Sequence, residues 1–188
     1  MNSYDIEGKL KELQRETQFY LNELKEAVAK QRTRVDYFSF FTYALHVSHT
    51  TKEESFCLGS YHIHNSGVSP LVNPIVQLTL SADAPFTLHG KFSKPNTTLP
   101  TRLANAWERL DDVSDPSIFR LKPIGQTIIQ PGETVSFSNF QLTWLPSSSY
   151  AGSVTGISFT DRQPNGIPAL NSININGTLR VKEEEEYV

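Results

Sequence analysis

YFSFFTYALHVS, residues 37–48, carries aromatic residues on both of its alternating faces. Side chains of a strand point to opposite sides in turn, so this pattern predicts a strand buried on two sides, or covered on one side by the helix that precedes it. The same period of two continues toward the C-terminus. It predicts further strands over 55–65, 74–81, 86–92, 117–122, 126–130, 134–144, 153–160 and 171–181. Breakers separate them: Asn65-Ser66-Gly67, Ala84-Pro85, Lys122-Pro123, Pro131-Gly132, Leu145-Pro146 and Pro164-Asn165-Gly166. Many short strands with no clear helix between them predict an antiparallel sandwich, immunoglobulin-like or jelly-roll, and not a parallel α/β sheet. The stretch PTRLANAWERLDDVSDP, residues 100–116, breaks the pattern. Leu103, Ala106, Trp107 and Leu110 have helical spacing, yet the segment is short and reads equally as an irregular excursion that packs Trp107 onto the sandwich.

Upstream of Tyr37 the period changes. Ile6, Leu10, Leu13, Thr17, Tyr20, Leu24, Ala27 and Gln31 follow one another at alternating intervals of four and three, the spacing of a coiled-coil seam. Leu10, Thr17, Leu24 and Gln31 take the a positions, and Ile6, Leu13, Tyr20 and Ala27 the d positions. Asp5 and Glu7 sit at the end where a helix dipole favours negative charge, and Lys30, Arg32 and Arg34 at the end where it favours positive charge. Leu21, Val28 and Val35 widen the apolar stripe. A helix of this length needs a cover for its stripe, because propensity alone gives little stability in water. The cover is a second copy of the chain, a helical partner protein, or the chain's own β-domain.

Composition places the boundary. All eleven prolines lie between Pro70 and Pro168, and the first 35 residues hold a single glycine, Gly8. The sequence therefore divides into a helical arm over 1–35, a β-sandwich over 36–182 and an acidic tail over 183–188. The net charge of −3 gives no reason to expect nucleic acid or a membrane surface as partner. Cys57 is the only cysteine, which rules out an intrachain disulfide. The opening MNSYDIEGKLKEL lacks a signal-peptide pattern, and the expectation is a cytoplasmic protein or one incorporated into an assembled particle.

IHNSGVSPLVNPIVQLTLS (63–81) and IIQPGETVSFSNFQLTW (128–144) together resemble the bacterial immunoglobulin-like, CARDB-type sandwich domains. In those domains a strand ends in an Asn-x-Gly turn, and a Pro-Gly-Glu turn launches a long strand. The resemblance implies a sandwich fold and a bias toward binding, with no functional residue to carry over.

Chemistry concentrates at CLGSYHIHNSG, residues 57–67. On a strand His62 and His64 point to one face, which is how cupin-type barrels begin a metal site. The cupin pattern also needs a nearby Glu, and residues 65–69 supply no carboxylate. Completing three ligands would require His46, His49 or His89 to approach in space. No metal or other cofactor is expected, and the pair reads as the end of a strand. Cys57, between Phe56 and Leu58, reads as a buried thiol. Asp111, Asp112 and Asp115 read as a solvated loop without the ligand spacing of an EF-hand. Tyr61, Trp107, Trp144 and Tyr150 would make a sugar-stacking platform if exposed, and core if not.

The sequence thus predicts a non-enzymatic structural or interaction protein. Its helical arm serves self-association or docking on a helical partner through Ile6, Leu10, Leu13, Tyr20, Leu24 and Ala27, and its sandwich binds within a larger assembly, phage- or virion-like or a bacterial scaffold. The alternatives are a metal-dependent cupin-like enzyme using His62 and His64, and a carbohydrate-binding module.

Overall fold

A computed structural model describes residues 3–33, 37–48, 50, 52–93, 106–110, 115–146 and 148–178. The chain divides into two compact units at Val35/Asp36. The first is one helix, α1 (Ser3–Thr33). At 1.5 Å per residue its 31 residues extend roughly 46 Å. Thr17 and Gln18 place polar groups within the helix and both are satisfied there. Thr17 Oγ1 donates back to the Leu13 carbonyl at 2.8 Å, and Gln18 Nε2 donates to Asn22 Oδ1 at 3.2 Å.

The second unit is built from strands: β1 (Tyr37–His46), β2 (Ser55–Asn65), β3 (Leu71–Val72), β4 (Ile75–Leu80), β5 (Thr87–His89), β6 (Phe92–Ser93), β7 (Trp107–Arg109), β8 (Ile118–Pro123), β9 (Ile128–Ile129), β10 (Thr134–Trp144), β11 (Tyr150–Thr160), β12 (Gln163–Pro168) and β13 (Ile173–Gly177). One sheet runs β1-β2-β10-β5. A larger one runs β12-β11-β4-β8-β7-β6, with β13 also on β11, and β3 with β9 makes a small ribbon. Pairing is antiparallel except between β6 and β7.

The two larger sheets meet through their alternate residues. Cys57, Tyr61 and Ile63 on β2 and Phe137, Phe140 and Leu142 on β10 are buried, as are Leu78 on β4, Leu121 on β8 and Val154 on β11. Trp107 on β7 stands edge-on to Phe137 on β10 at 5.6 Å between centroids, and its Nε1 donates to the Ser136 carbonyl at 3.3 Å. A buried polar cluster also crosses between the sheets. Tyr37 Oη donates to the Ser158 carbonyl at 2.9 Å, while Tyr61 Oη bonds Ser39 Oγ and Ser158 Oγ, each at 2.8 Å.

Strand β10 keeps both Phe137 and Phe140 inside although they are three residues apart. A bulge does this: the register slips between them, and Asn139 takes a φ of 57°. The two rings then stack at 5.7 Å and 12°.

Several sequence expectations need correction. β1 is not buried on both sides: Tyr37, Ser39 and Phe41 face the core, but Thr42 through His46 are exposed on both faces. Trp107–Arg109 form a strand, so the helical spacing is overruled there, and Trp107 is buried as the alternative reading has it. Pro164-Asn165-Gly166 was expected to break a strand and instead lies within β12. β12 lies at the sheet margin and its register with β11 is irregular, which is where proline and a glycine at φ 74° are tolerated. The two-residue β3 was missed because so short a pair leaves no period to read. The acidic tail 183–188 lies outside the described residues.

Candidate functional site

The outward face of the β1-β2-β10-β5 sheet collects the histidines. Strand register sets His64 opposite Phe38 and His62 opposite Phe40 on one side. On the other side it sets the same two residues opposite Thr134 and Ser136. His46 falls opposite Phe56, and His89 opposite Gln141. Four histidines thus share one sheet face, because all occupy positions of the same parity on paired strands. His49 lies outside the described residues.

His62 and His64 are held by both rings and hydroxyls, His46 by a ring and His89 by a hydroxyl. His62 stacks on Phe40 at 4.9 Å, His64 tilts against Phe38 at 5.2 Å, and His46 stacks on Phe56 at 5.0 Å. Phe38 and Phe40 stack on each other at 5.9 Å. His62 Nδ1 is 2.7 Å from Ser136 Oγ and its Nε2 is 2.9 Å from Thr42 Oγ1. His64 Nδ1 is 2.9 Å from Thr134 Oγ1, and His89 Nε2 is 3.4 Å from Thr143 Oγ1. Burial among these neighbours holds the His62 pKa below the ordinary histidine value.

Metal chemistry needs convergent donors, and among the described residues no group of three His, Cys, Asp or Glu side chains is placed to hold an ion. Both nitrogens of His62 are already engaged by hydroxyls. The Ser136–His62 distance matches a nucleophile and its base, but the orienting position is filled by the Thr42 hydroxyl. A hydroxyl supplies no charge to stabilise an imidazolium, as a carboxylate does in a catalytic triad.

Other candidates also find structural places. Cys57 is fully buried, and desolvation pushes its thiol up to about 11. Asp115 Oδ1 accepts bonds from the Ser117 hydroxyl and N–H, which hold its carboxyl below the usual range; Asp111 and Asp112 lie outside the described residues. Tyr61, Trp107 and Trp144 are buried, so their rings offer no platform to a sugar, and Tyr150 is half-buried. A cleft of about 300 Å³ lies beside β10, lined by Trp107, Pro123, Ile124, Gln126 and Thr134 through Ser136 with Ser138. Trp107 filling its wall satisfies the Ser136 carbonyl.

Of the residues expected to form a seam on α1, Leu13 is 60% exposed, Tyr20 65% and Leu24 61%, with Ala27 exposed beside them. The side chains of Ile6 and Leu10 lie outside the described residues. Phe19, Leu21 and Val28 are exposed too, and the Phe19 and Tyr20 rings meet edge-on at 5.8 Å. Phe19 lies off the seam spacing, and its pairing with Tyr20 was not legible in the heptad pattern. The clustering of Phe38 and Phe40 with the histidines was also missed. Its signal was present in the parity of residues 38, 40, 62 and 64, but the pairing of β1 with β2 is needed to use it.

No protein-family model and no curated protein matches the sequence. Among solved structures, BslA, a bacterial hydrophobin, is 10% identical over 77% of this chain and 96% of its own, with a TM-score of 0.41. A FixG-related protein from Vibrio parahaemolyticus is 10% identical over 76% of this chain and 97% of its own, with a TM-score of 0.36. The GH20 exo β-N-acetylglucosaminidase from Vibrio harveyi is 9% identical, and its likeness covers 77% of this chain but 18% of the enzyme, with a TM-score of 0.32.

Proposed function

We propose that the protein is a non-enzymatic structural component of a larger assembly, in which α1 joins copies of the chain and the β unit forms the body. The observation that carries this reading is the exposure of Leu13, Thr17, Tyr20 and Leu24, spaced four, three and four residues apart on one long helix. Fully burying an exposed leucine contributes about 1.5–3 kcal/mol, so a shared seam is the direct way to stabilise such a helix. Thr17 is compatible with the seam, since its hydroxyl is bonded to the Leu13 carbonyl and needs no partner across it. The exposed Leu21 and Val28 broaden the stripe beyond a strict two-stranded seam. The histidine face supports the non-enzymatic part of the reading, because hydroxyls and phenyl rings surround its imidazoles.

Sedimentation of the full chain tests the proposal. Association at micromolar concentration is expected, and Leu13→Asp with Leu24→Asp should dissociate it, since each charge would lose its solvation in a packed seam. A full-length protein that sediments as a monomer at that concentration would refute this role for α1.

A further inference from the structure

Among the described residues strand β1 is the outer strand of its sheet, hydrogen-bonded there to β2 alone. In the first half its far edge is engaged at two residues, Ser39 and Phe41. Leu170 N–H donates to the Ser39 carbonyl at 2.8 Å. The Asn171 side chain engages both backbone groups of Phe41, accepting from its N–H at 2.7 Å and donating to its carbonyl at 3.0 Å. That amide takes the place of a neighbouring strand. The same bonds reveal which residues face the edge: Ser39 and Phe41 do, so by alternation Tyr43 and Leu45 do as well.

At Tyr43 and Leu45 the edge is open. Among the described residues nothing bonds their backbone on that side. Their side chains, on the face where Tyr37 and Phe41 are buried, are 42% and 45% exposed. Edge strands are commonly guarded against pairing by charges, proline, bulges or shortness. β1 has none of these guards: its 10 residues pair with β2 without a register shift and include no Lys, Arg, Asp, Glu or Pro, and the chain runs on uncharged to Ser48.

We propose that the open stretch around Ala44 pairs with the same stretch of a second copy, antiparallel about a twofold axis at Ala44. Tyr43 of each copy then faces Leu45 of the other. The outward backbone groups of both residues close their hydrogen bonds, and the exposed apolar side chains cover one another. Ala44 meets its twin on the axis, where a small side chain crowds least. A second copy is the fitting occupant because an uncharged edge does not repel itself and offers a charged segment no counter-ion. A twofold contact also needs the same patch on both sides. The contact is small beside the roughly 1,200–2,000 Å² of a standard stable interface, so it acts at high local concentration. It does not depend on the α1 seam.

Hydrogen exchange on the full chain tests it. The amides of Tyr43 and Leu45 should exchange more slowly as concentration rises from low micromolar to sub-millimolar, while those of Thr42 and Ala44, directed to β2, should not change. Ala44→Cys supplies a second measurement, because Cys57 is buried and leaves the new thiol as the accessible one. Directly opposite residues of this type lie about 4.5 Å apart at Cα, within disulfide reach. Mild oxidation should yield a covalent dimer, which a Val68→Cys control should not form and added Leu45→Lys should abolish. The amides and the cross-link decide the matter in the Leu13→Asp/Leu24→Asp background too, so a failed helix seam and a failed edge pairing give different results. Fast exchange at every concentration would mean an open edge, and slow exchange at every concentration an edge covered by the chain itself. Either result, or cross-linking no greater than the control, overturns the pairing.

Discussion

Tyr61 concentrates at one residue the problem of burying polar groups between two sheets. Its hydroxyl bonds two serines that are themselves fully buried, Ser39 and Ser158. Tyr61→Phe leaves both without that partner and should cost about 1–3 kcal/mol, read as a lower urea midpoint. Gly156 on the facing sheet is tied to the same ring, since an added Cβ would run into Tyr61 and Phe41. Tyr61 is held by its hydrogen bonds and cannot swing away freely, so Gly156→Ala should cost about 1–3 kcal/mol in the same measurement. Titration gives a further expectation. Burial raises Tyr37 to about 12 and Cys57 to about 11, so the native state keeps protons that the unfolded chain releases from about 9 upward. Their contribution is complete below about pH 9 and is lost as pH rises toward 12, about 2–3 kcal/mol for each. Urea midpoints taken across that range should fall, and Tyr37→Phe should flatten the upper part. His62 acts in the opposite direction. Its pKa is lowered by burial, so its contribution is present above the ordinary histidine range and is lost as pH falls through it.

Among the elements, α1 and β10 show two ways in which a local pattern meets a tertiary demand. The spacing that α1 offers for the proposed seam was legible because a helix repeats its positions along the chain, whatever it later packs against. Thr17 is the weak point of the proposed seam, and its hydroxyl is spent on the helix's own backbone. Thr17→Leu should therefore tighten association by about tenfold, since burying the larger side chain adds about 1.5 kcal/mol, and sedimentation equilibrium would measure it. No change on Thr17→Leu would argue that this position is not in the seam. β10 was legible as a strand over Thr134–Trp144, but its bulge was not. The added residue matters only because Phe137 and Phe140 must both enter the core, a requirement set by the opposite sheet. Asn139, at φ 57°, accommodates it, so Asn139→Gly should be tolerated and Asn139→Val should cost about 1–3 kcal/mol by the same unfolding measurement.

Across the whole β unit, the margins of the sheets hold what the core does not decide. Asn171 substitutes for a strand along the first half of the β1 edge, and β12 ends just before it. Asn171→Ala removes both bonds to Phe41 and lengthens the open edge. It should lower stability by about 1–2 kcal/mol and also raise concentration-dependent association. A protein that lost stability without associating more strongly would place Asn171 as a local clasp only.

What the sequence determined by itself is what repeats along the chain: a helix with its stripe, the run of strands, the boundary near residue 35, and the burial of Cys57. Each follows from spacing or composition that neighbouring residues already contain. Which strands become neighbours was decided only in three dimensions. Pairing β1 with β2 placed Phe38 and Phe40 against His64 and His62, and pairing β7 with β8 drew Trp107 into a strand despite its helical spacing. The same pairing left Tyr43 and Leu45 at an open margin. The reason is physical: local patterns fix which way a side chain points along its own strand, whereas the partner it meets depends on contacts between residues far apart in sequence.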